Sequence, residues 1–242
     1  MPQPLNDKVA IVTGGASGIG EAIARAYVMA GANVIIADLP GSNGASLARE
    51  LGASAKFADL DVRSEEQWLE VVRQTEASYG PVSVLVNNAG IINWNTPIET
   101  QAEREFRDVI DVNLIGCFLG TKSVIASMQK VGFGSVINMA STAALVGYPT
   151  IAAYVASKWA VRGFTKASAI ELGAYNIRAN CICPGGVRTK MIEDIAQPRS
   201  VLNRTADAAE IGGLAIYLAS DDSSFATGGE FVIDGGHTAG IY

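Results

Sequence analysis

The chain has 242 residues, a formal net charge of −6, 49% hydrophobic residues and only 17% charged residues. It is too apolar, and its net charge is too small, for an intrinsically disordered chain. The acidic balance argues against a nucleic-acid partner, whose phosphates require a basic surface. No uninterrupted apolar run approaches the roughly 18 residues that span a bilayer, so we expect no membrane partner either.

The N-terminus and the metal-ligating residue types indicate the compartment. Residues 1–7 lack a basic region followed by an apolar core, so no signal peptide is expected. Cys117, Cys181 and Cys183 are too few for a disulfide framework, and we expect the last two to face opposite sides of a strand. His237 is the only histidine, which leaves too few ligands for a zinc site. We predict a cytoplasmic protein without a bound metal.

Short β-branched runs alternate with longer helical patterns along the chain. The predicted strands are 8–13, 33–37, 55–59, 82–86, 134–140, 177–182 and 230–233. The predicted helices are 19–31, 43–51, 65–79, 100–130 with a break near 111–113, 150–173 and 207–218. Continuous apolar strands separated by helices predict an α/β fold: a Rossmann-like, doubly wound parallel sheet of about seven strands with helices on both faces. We expect residues 1–242 to form one domain.

Two helical stretches, 114–128 and 155–170, carry apolar residues around most of their circumference. A helix on the outside of a doubly wound sheet buries only one face there, so the other apolar face is expected to pack on a second subunit. The alternative is that these are ordinary scattered surface residues. We predict a homo-oligomer built through these two helices.

A glycine-rich turn, Thr13-Gly14-Gly15-Ala16-Ser17-Gly18-Ile19-Gly20, joins the first strand to the first helix. Glycines here let the backbone approach a pyrophosphate at the positive end of the helix, although a plain strand-to-helix turn is the alternative. Asp38 closes the second strand, where a carboxylate accepts hydrogen bonds from a ribose diol and repels a 2′-phosphate. No Arg or Lys stands at Gly15, Ser17 or Leu39. These features favour NAD over NADP.

With further motifs in order, the chain resembles the short-chain dehydrogenase/reductase family from Thr13 to Gly236. The motifs are the glycine-rich turn, Asp61-Val62, Asn87-Asn88-Ala89-Gly90, Asn113, Ser141, Tyr154 with Lys158, Pro184-Gly185-Gly186-Val187-Arg188-Thr189 and Asp234-Gly235-Gly236. The resemblance implies an NAD site formed by Gly14, Ser17, Gly18, Ile19, Gly20, Asp38, Leu39, Asp61, Val62, Asn88, Ala89, Gly90, Tyr154, Lys158, Pro184, Gly185, Val187 and Thr189. It also favours a tetramer over a dimer.

Four residues form the predicted catalytic set. Tyr154 is the candidate base, and working near neutrality requires its pKa to fall from its usual value near 10. Lys158 lies one helical turn later, where its ammonium would favour the phenolate. Ser141 could donate to the substrate oxygen, and the family resemblance gives Asn113 a water on the proton path. Taken singly, a core-rim Tyr, a snorkelling Lys, a capping Ser and a helix-break Asn are the alternatives.

The substrate pocket is predicted more coarsely, from Trp94, Ala143, Tyr148, Gly186, Met191 and Ile195. This mostly apolar lining fits a compact, uncharged secondary alcohol or ketone. Only a short segment, at about 189–205, is available as a substrate lid, whereas many relatives of this family have a longer one.

The leading functional prediction is an NAD-dependent dehydrogenase of secondary alcohols. A 3-oxoacyl carrier-protein reductase is the rival within enzymes; such reductases mostly use NADPH, which Asp38 disfavours. A non-catalytic NAD-binding subunit is the rival from another class, although the Ser, Tyr and Lys of the predicted site are all present.

Overall fold

Seven strands form one parallel sheet in the computed structural model, which describes residues 3–192 and 200–240. They are β1 (Val9–Thr13), β2 (Asn33–Asp38), β3 (Ala55–Asp59), β4 (Val84–Asn87), β5 (Gly134–Met139), β6 (Ile177–Pro184) and β7 (Glu230–Ile233). Their order is β3-β2-β1-β4-β5-β6-β7, and every neighbouring pair is parallel. The order reverses between β1 and β4, which opens a crevice at the carboxyl edge of the sheet.

Helices cover both faces of the sheet. They are α1 (Gly18–Met29), α2 (Gly44–Leu51), α3 (Glu65–Tyr79), α4 (Glu103–Ile110), α5 (Gly116–Val131), α6 (Ala152–Leu172) and α7 (Ala208–Ala219). One core cluster joins α1, α2 and α7 to strand residues such as Val12, and a second joins α3, α5 and α6 to the opposite face, through Ile11 and others. Adjacent strand residues point to opposite faces, so a continuously apolar strand fills both clusters. The predicted fold class is confirmed.

The long helix is not broken near residues 111–113, where the sequence predicted a break. A π-helical turn, Asp111–Ile115, joins α4 to α5, and the Gly116 N–H bonds to the Asp111 carbonyl five residues earlier. The turn absorbs an extra residue without ending the helix, which is how such turns arise. A continuous helix of 29 residues, Glu103–Val131, results.

The 29-residue helix is more apolar than the search for uninterrupted apolar runs indicated. By length and composition alone it is long and apolar enough to cross a membrane, and 44% of its apolar window is buried. A count of uninterrupted apolar residues misses it because polar residues, among them Asn113, Thr121 and Lys122, interrupt them. Its α5 part packs on α3 and the sheet, as the core helix of a globular fold does.

The expectation that Cys181 and Cys183 face opposite sides of a strand was wrong. Residues two apart on a strand share a face. Both thiols are fully buried on the same side of β6, in a third cluster that also contains Cys117.

Candidate active site

The glycine-rich turn is fixed by the segment that follows β4. A Cβ atom at Gly20 would overlap the Gly14 carbonyl oxygen, so the first turn of α1 can lie this close to β1 only with glycine there. The Asn88 amide donates to the carbonyls of Thr13 and Gly14 at 2.9 and 3.2 Å. The Thr13 hydroxyl accepts the N–H groups of Asn88 and Ala89 at 3.0 Å. The turn is therefore held open at the N-terminus of α1, where backbone N–H groups bind phosphate.

Asp38 lies at the end of β2, beside this turn. Its carboxylate accepts the backbone N–H groups of Ala16 at 2.9 Å and Leu39 at 2.8 Å, so it is oriented by the backbone on both sides. Asp61 follows β3, and its carboxylate pairs with the Arg63 guanidinium at 2.6 Å, which lowers the pKa of the Asp61 carboxyl. Arg63 also lines the crevice, a contribution that the sequence analysis missed.

Ser141, Tyr154 and Lys158 meet at the carboxyl end of β5. Ser141 follows this strand by two residues. Its Oγ accepts the Ala143 N–H at 3.1 Å, and its interaction with the Tyr154 hydroxyl lowers the pKa of that phenol. Lys158 lies one turn after Tyr154 on α6, with Nζ 5.5 Å from the centroid of the Tyr154 ring. Its Nζ donates to the carbonyl of Met139, the last residue of β5, at 2.7 Å. The strand end and one face of α6 therefore bring a hydroxyl, a phenol and an amine together.

The protonation behaviour of Tyr154 differs from the expectation. Desolvation raises the pKa of Tyr154 above its usual value, the hydrogen bond from Ser141 lowers it, and Tyr148 raises it. The net direction is upward, so the chain's own groups do not bring the phenol toward neutrality. Burial lowers the pKa of Lys158 to about 8. The expected fall in the pKa of Tyr154 would need further positive charge in the cleft.

Asn113 lies in the π-helical turn, behind the cleft wall. Its Oδ1 accepts the Ile91 N–H at 2.8 Å, and its Nδ2 donates to the Ile91 carbonyl at 3.0 Å and to the Ser157 hydroxyl at 2.9 Å. The amide thus fixes the chain that follows Gly90 to α6. Because these contacts occupy the Asn113 side chain on the protein, the water assigned to it by resemblance stays a prediction.

A single cleft of about 780 Å³ runs from the glycine-rich turn to these groups. The predicted site residues that line it are Gly14, Ser17, Gly18, Ile19, Asp38, Leu39, Asp61, Val62, Asn88, Ala89, Gly90, Trp94, Ser141, Ala143, Tyr148, Tyr154, Lys158, Pro184, Gly185, Gly186, Val187, Thr189 and Met191. Gly20 and Asn113 support the cleft from behind, and Ile195 falls outside the described residues.

Several lining residues were not predicted, among them Arg63, Asp108, Thr142 and Ile151. Each of them except Asp108 lies within a few residues of a predicted motif. Proximity to a motif in the sequence could therefore have identified them as cleft residues. The elongated cleft, the phosphate-binding helix end and the carboxylate at the end of β2 fit a dinucleotide.

Known proteins are similar to this chain in sequence and in fold. A family model described as short chain dehydrogenase matches residues 8–200. The 3-alpha-(or 20-beta)-hydroxysteroid dehydrogenase of Mycobacterium bovis is 45% identical over 97% of this chain and 90% of its own length. The NADP-dependent (R)-specific alcohol dehydrogenase of Lentilactobacillus kefiri is 40% identical over 99% of this chain and 100% of its own length. A crystal structure of a short-chain type dehydrogenase/reductase from Mycobacterium marinum superimposes with a TM-score of 0.93 at 33% identity, covering 98% of this chain and 97% of that one.

The chain belongs to the short-chain dehydrogenase family. It is an oxidoreductase that transfers a hydride between a nicotinamide cofactor and a secondary alcohol or its ketone.

Proposed function

We propose that the protein is an NAD-dependent dehydrogenase in which Tyr154 exchanges the hydroxyl proton of the substrate. The observation that carries this proposal is that Ser141, Tyr154 and Lys158 line the same cleft. The Lys158 Nζ lies 5.5 Å from the centroid of the Tyr154 ring, and the interaction with the Ser141 side chain lowers the pKa of Tyr154. A phenol and a hydroxyl that line the same part of a cleft can both contact one substrate oxygen.

In this mechanism each group acts on the carbinol oxygen or on Tyr154. Tyr154 takes the hydroxyl proton during oxidation and returns it during reduction. Ser141 donates a hydrogen bond to the same oxygen as negative charge develops on it. Lys158, held by Met139, supplies positive charge that favours the phenolate. A bound nicotinamide cofactor would supply the hydride chemistry at the carbinol carbon.

The choice of NAD rests on Asp38. Its carboxylate is oriented at the end of β2 by two backbone N–H groups, which suits a ribose diol and repels a 2′-phosphate. The Lentilactobacillus relative uses NADP, so membership of the family does not decide between the cofactors. Arg63 is paired with Asp61, which reduces its capacity to bind a 2′-phosphate.

A ring-bearing, uncharged secondary alcohol suits the pocket end of the cleft. Apolar side chains, including those of Trp94, Ile151 and Met191, line it beside Ser141 and Tyr154. The Mycobacterium relative acts on hydroxysteroids, which are cyclic secondary alcohols of this kind.

The test is the appearance of reduced nicotinamide with NAD or NADP and a panel of cyclic, aromatic, steroidal and polyol secondary alcohols. We expect turnover with NAD at a kcat/KM at least about tenfold above that with NADP, which corresponds to about 1.4 kcal/mol. A consistent preference for NADP would instead favour a 3-oxoacyl carrier-protein reductase. NADH binding without turnover of any alcohol or ketone would favour a binding subunit.

We also propose a cytoplasmic homotetramer. On α5 and α6, Phe118, Trp159 and Ile170 are 43%, 46% and 86% exposed, although their neighbours are buried on the sheet. Such apolar side chains on adjacent helices suit an interface between copies of the chain. The three cysteines are free and buried, which suits a reducing compartment.

A further inference from the structure

The Asp234-Gly235-Gly236 motif forms a tight turn after β7 that directs the chain toward the cleft. The Asp234 carboxylate accepts the N–H of Gly236 at 2.9 Å, the N–H of Thr238 at 2.8 Å and the Thr238 hydroxyl at 2.6 Å. Gly236 has a φ of +85°, in the left-handed region that favours glycine. The turn therefore sets the position of His237, which lies between the two anchored residues.

His237 contacts the chain that follows Ser141. Its Nε2 lies 2.8 Å from the Tyr148 hydroxyl, and the two rings are nearly parallel, at 9°, with their centroids 6.0 Å apart. The Tyr148 hydroxyl is also 3.0 Å from the Thr142 hydroxyl. Thr142 directly follows Ser141, so a hydrogen-bonded chain runs from the C-terminal turn to the active-site loop.

Tyr148 belongs to the wall of the cleft in which the reaction is proposed to occur. It lines the same cavity as Ser141 and Tyr154, and its charge raises the pKa of Tyr154, which places the two phenols within electrostatic reach. The neighbouring wall is apolar, through Trp94 and Ile151 among others. A fixed hydroxyl on an apolar wall is the kind of polar group that orients a ligand in a pocket.

We propose that His237 is a positioning residue that determines specificity: it holds the Tyr148 hydroxyl, which binds a second hydroxyl or carbonyl oxygen on a ring-bearing secondary alcohol. Tyr148 contacts the substrate, and His237 acts through Tyr148. The proposal rests on the proposed alcohol dehydrogenase function. A neutral second oxygen is the fitting ligand. When the Tyr148 proton is donated to His237 or Thr142, the phenol oxygen can accept from a substrate hydroxyl; when a His237 Nε2–H donates to the phenol oxygen, the Tyr148 proton can be donated to a substrate oxygen.

The experiment compares cyclohexanol with 1,2-, 1,3- and 1,4-cyclohexanediol in the wild type, Tyr148→Phe, His237→Phe and His237→Gln. In the wild type, we expect at least one diol to exceed cyclohexanol in kcat/KM by about three- to tenfold, the range of one neutral hydrogen bond. Tyr148→Phe and His237→Phe should each remove that preference, so that the ratio of diol to cyclohexanol kcat/KM falls to about one, chiefly through a higher KM for the diol. His237→Gln should restore the preference, since an amide offers both a donor and an acceptor to the phenol.

Two outcomes would overturn the proposal. Equal losses for cyclohexanol and the diols in His237→Phe would mean that His237 merely supports the fold. A wild type in which no diol is preferred would mean that Tyr148 does not bind a second oxygen.

A binding measurement tests the proposed role of Tyr148 separately from the proposed dehydrogenase function. In the Tyr154→Phe background, the dissociation constants of cyclohexanone and 4-hydroxycyclohexanone are measured on the NADH complex through NADH fluorescence. Tighter binding of the hydroxyketone, lost on adding Tyr148→Phe, supports the proposal even if the enzyme oxidises none of the alcohols. Equal binding of the two ketones argues against it even if the alcohols are oxidised.

Discussion

The Lys158 ammonium donates a 2.7 Å hydrogen bond to the Met139 carbonyl oxygen while only 4% of the residue is exposed. The carbonyl favours the charged amine, but burial disfavours it and lowers its pKa from 10.5 to about 8. The fold therefore holds a positive charge beside Tyr154 and is less stable for it. Active sites commonly lose stability in this way to keep groups needed for function.

The first prediction concerns the pH dependence of this cost. Between pH 8 and 10.5, unfolded Lys158 binds more protons than folded Lys158, so the free energy of unfolding rises with pH. The rise attributable to Lys158 is at most about 3 kcal/mol. In Lys158→Met, this rise in the free energy of unfolding with pH should be absent, and activity should be lost. Urea unfolding across that pH range measures it.

Lys56→Met is the matched control, because Lys56 is exposed on β3. It should keep the pH dependence of the wild type. Parallel stability curves for the wild type and Lys158→Met would show that Lys158 is not desolvated in the folded protein.

The second prediction isolates the phenol. Tyr154→Phe keeps the ring on α6 and removes the hydroxyl that contacts Ser141, so kcat should fall by at least about 1,000-fold. NADH affinity should change little. Steady-state kinetics and NADH fluorescence measure the two effects, with Tyr175→Phe, 48% exposed, as the control. Activity that survives in Tyr154→Phe would exclude this phenol as the base.

The third prediction concerns cofactor choice. Asp38→Asn preserves the side-chain shape and an acceptor oxygen for the Ala16 N–H but removes the negative charge. The NAD to NADP ratio of kcat/KM should fall by about tenfold or more, chiefly because NADP is no longer repelled. The ratio is measured on one alcohol with both cofactors. An unchanged ratio would mean that the charge of Asp38 does not set the preference.

Local patterns in the sequence were sufficient for the strands, the order of the motifs and the glycine-rich turn. Gly20 illustrates why: a glycine is required at this position because of the contact with Gly14, only six residues earlier. The parallel sheet followed from apolar runs that fill two faces at once, as Ile11 and Val12 do.

Features that depend on distant segments were not predictable in the same way. The contact between Tyr148 and His237 joins residues 89 positions apart. The upward pKa of Tyr154 reflects the burial produced by the whole cleft. The π-helical turn around Asn113 carries no local signal that separates it from a helix break, because both interrupt the same periodic pattern.

The fourth prediction concerns the lid segment. The Trp94 indole N–H donates to the Met191 carbonyl at 3.1 Å, which ties the segment after β4 to the one after β6. Trp94→Phe keeps an aromatic wall but removes this bond, so KM for the alcohol should rise by about threefold to tenfold with little change in kcat. Met191→Leu keeps the carbonyl acceptor and should leave KM nearly unchanged. Equal effects of the two substitutions would assign the change to apolar packing.

The fifth prediction tests assembly through α5 and α6. Phe118 and Trp159 are 43% and 46% exposed, and Phe118 packs edge-on against Phe164 with centroids 6.2 Å apart. If these helices form an interface between copies, Phe118→Lys with Trp159→Lys places two charges in it and should split a tetramer of 25.2 kDa chains into smaller species. Light scattering after size exclusion measures the mass. Met29→Lys, at an equally apolar but separate position that is 78% exposed, should leave the mass unchanged. A double variant with the wild-type mass would show that the copies associate through another surface.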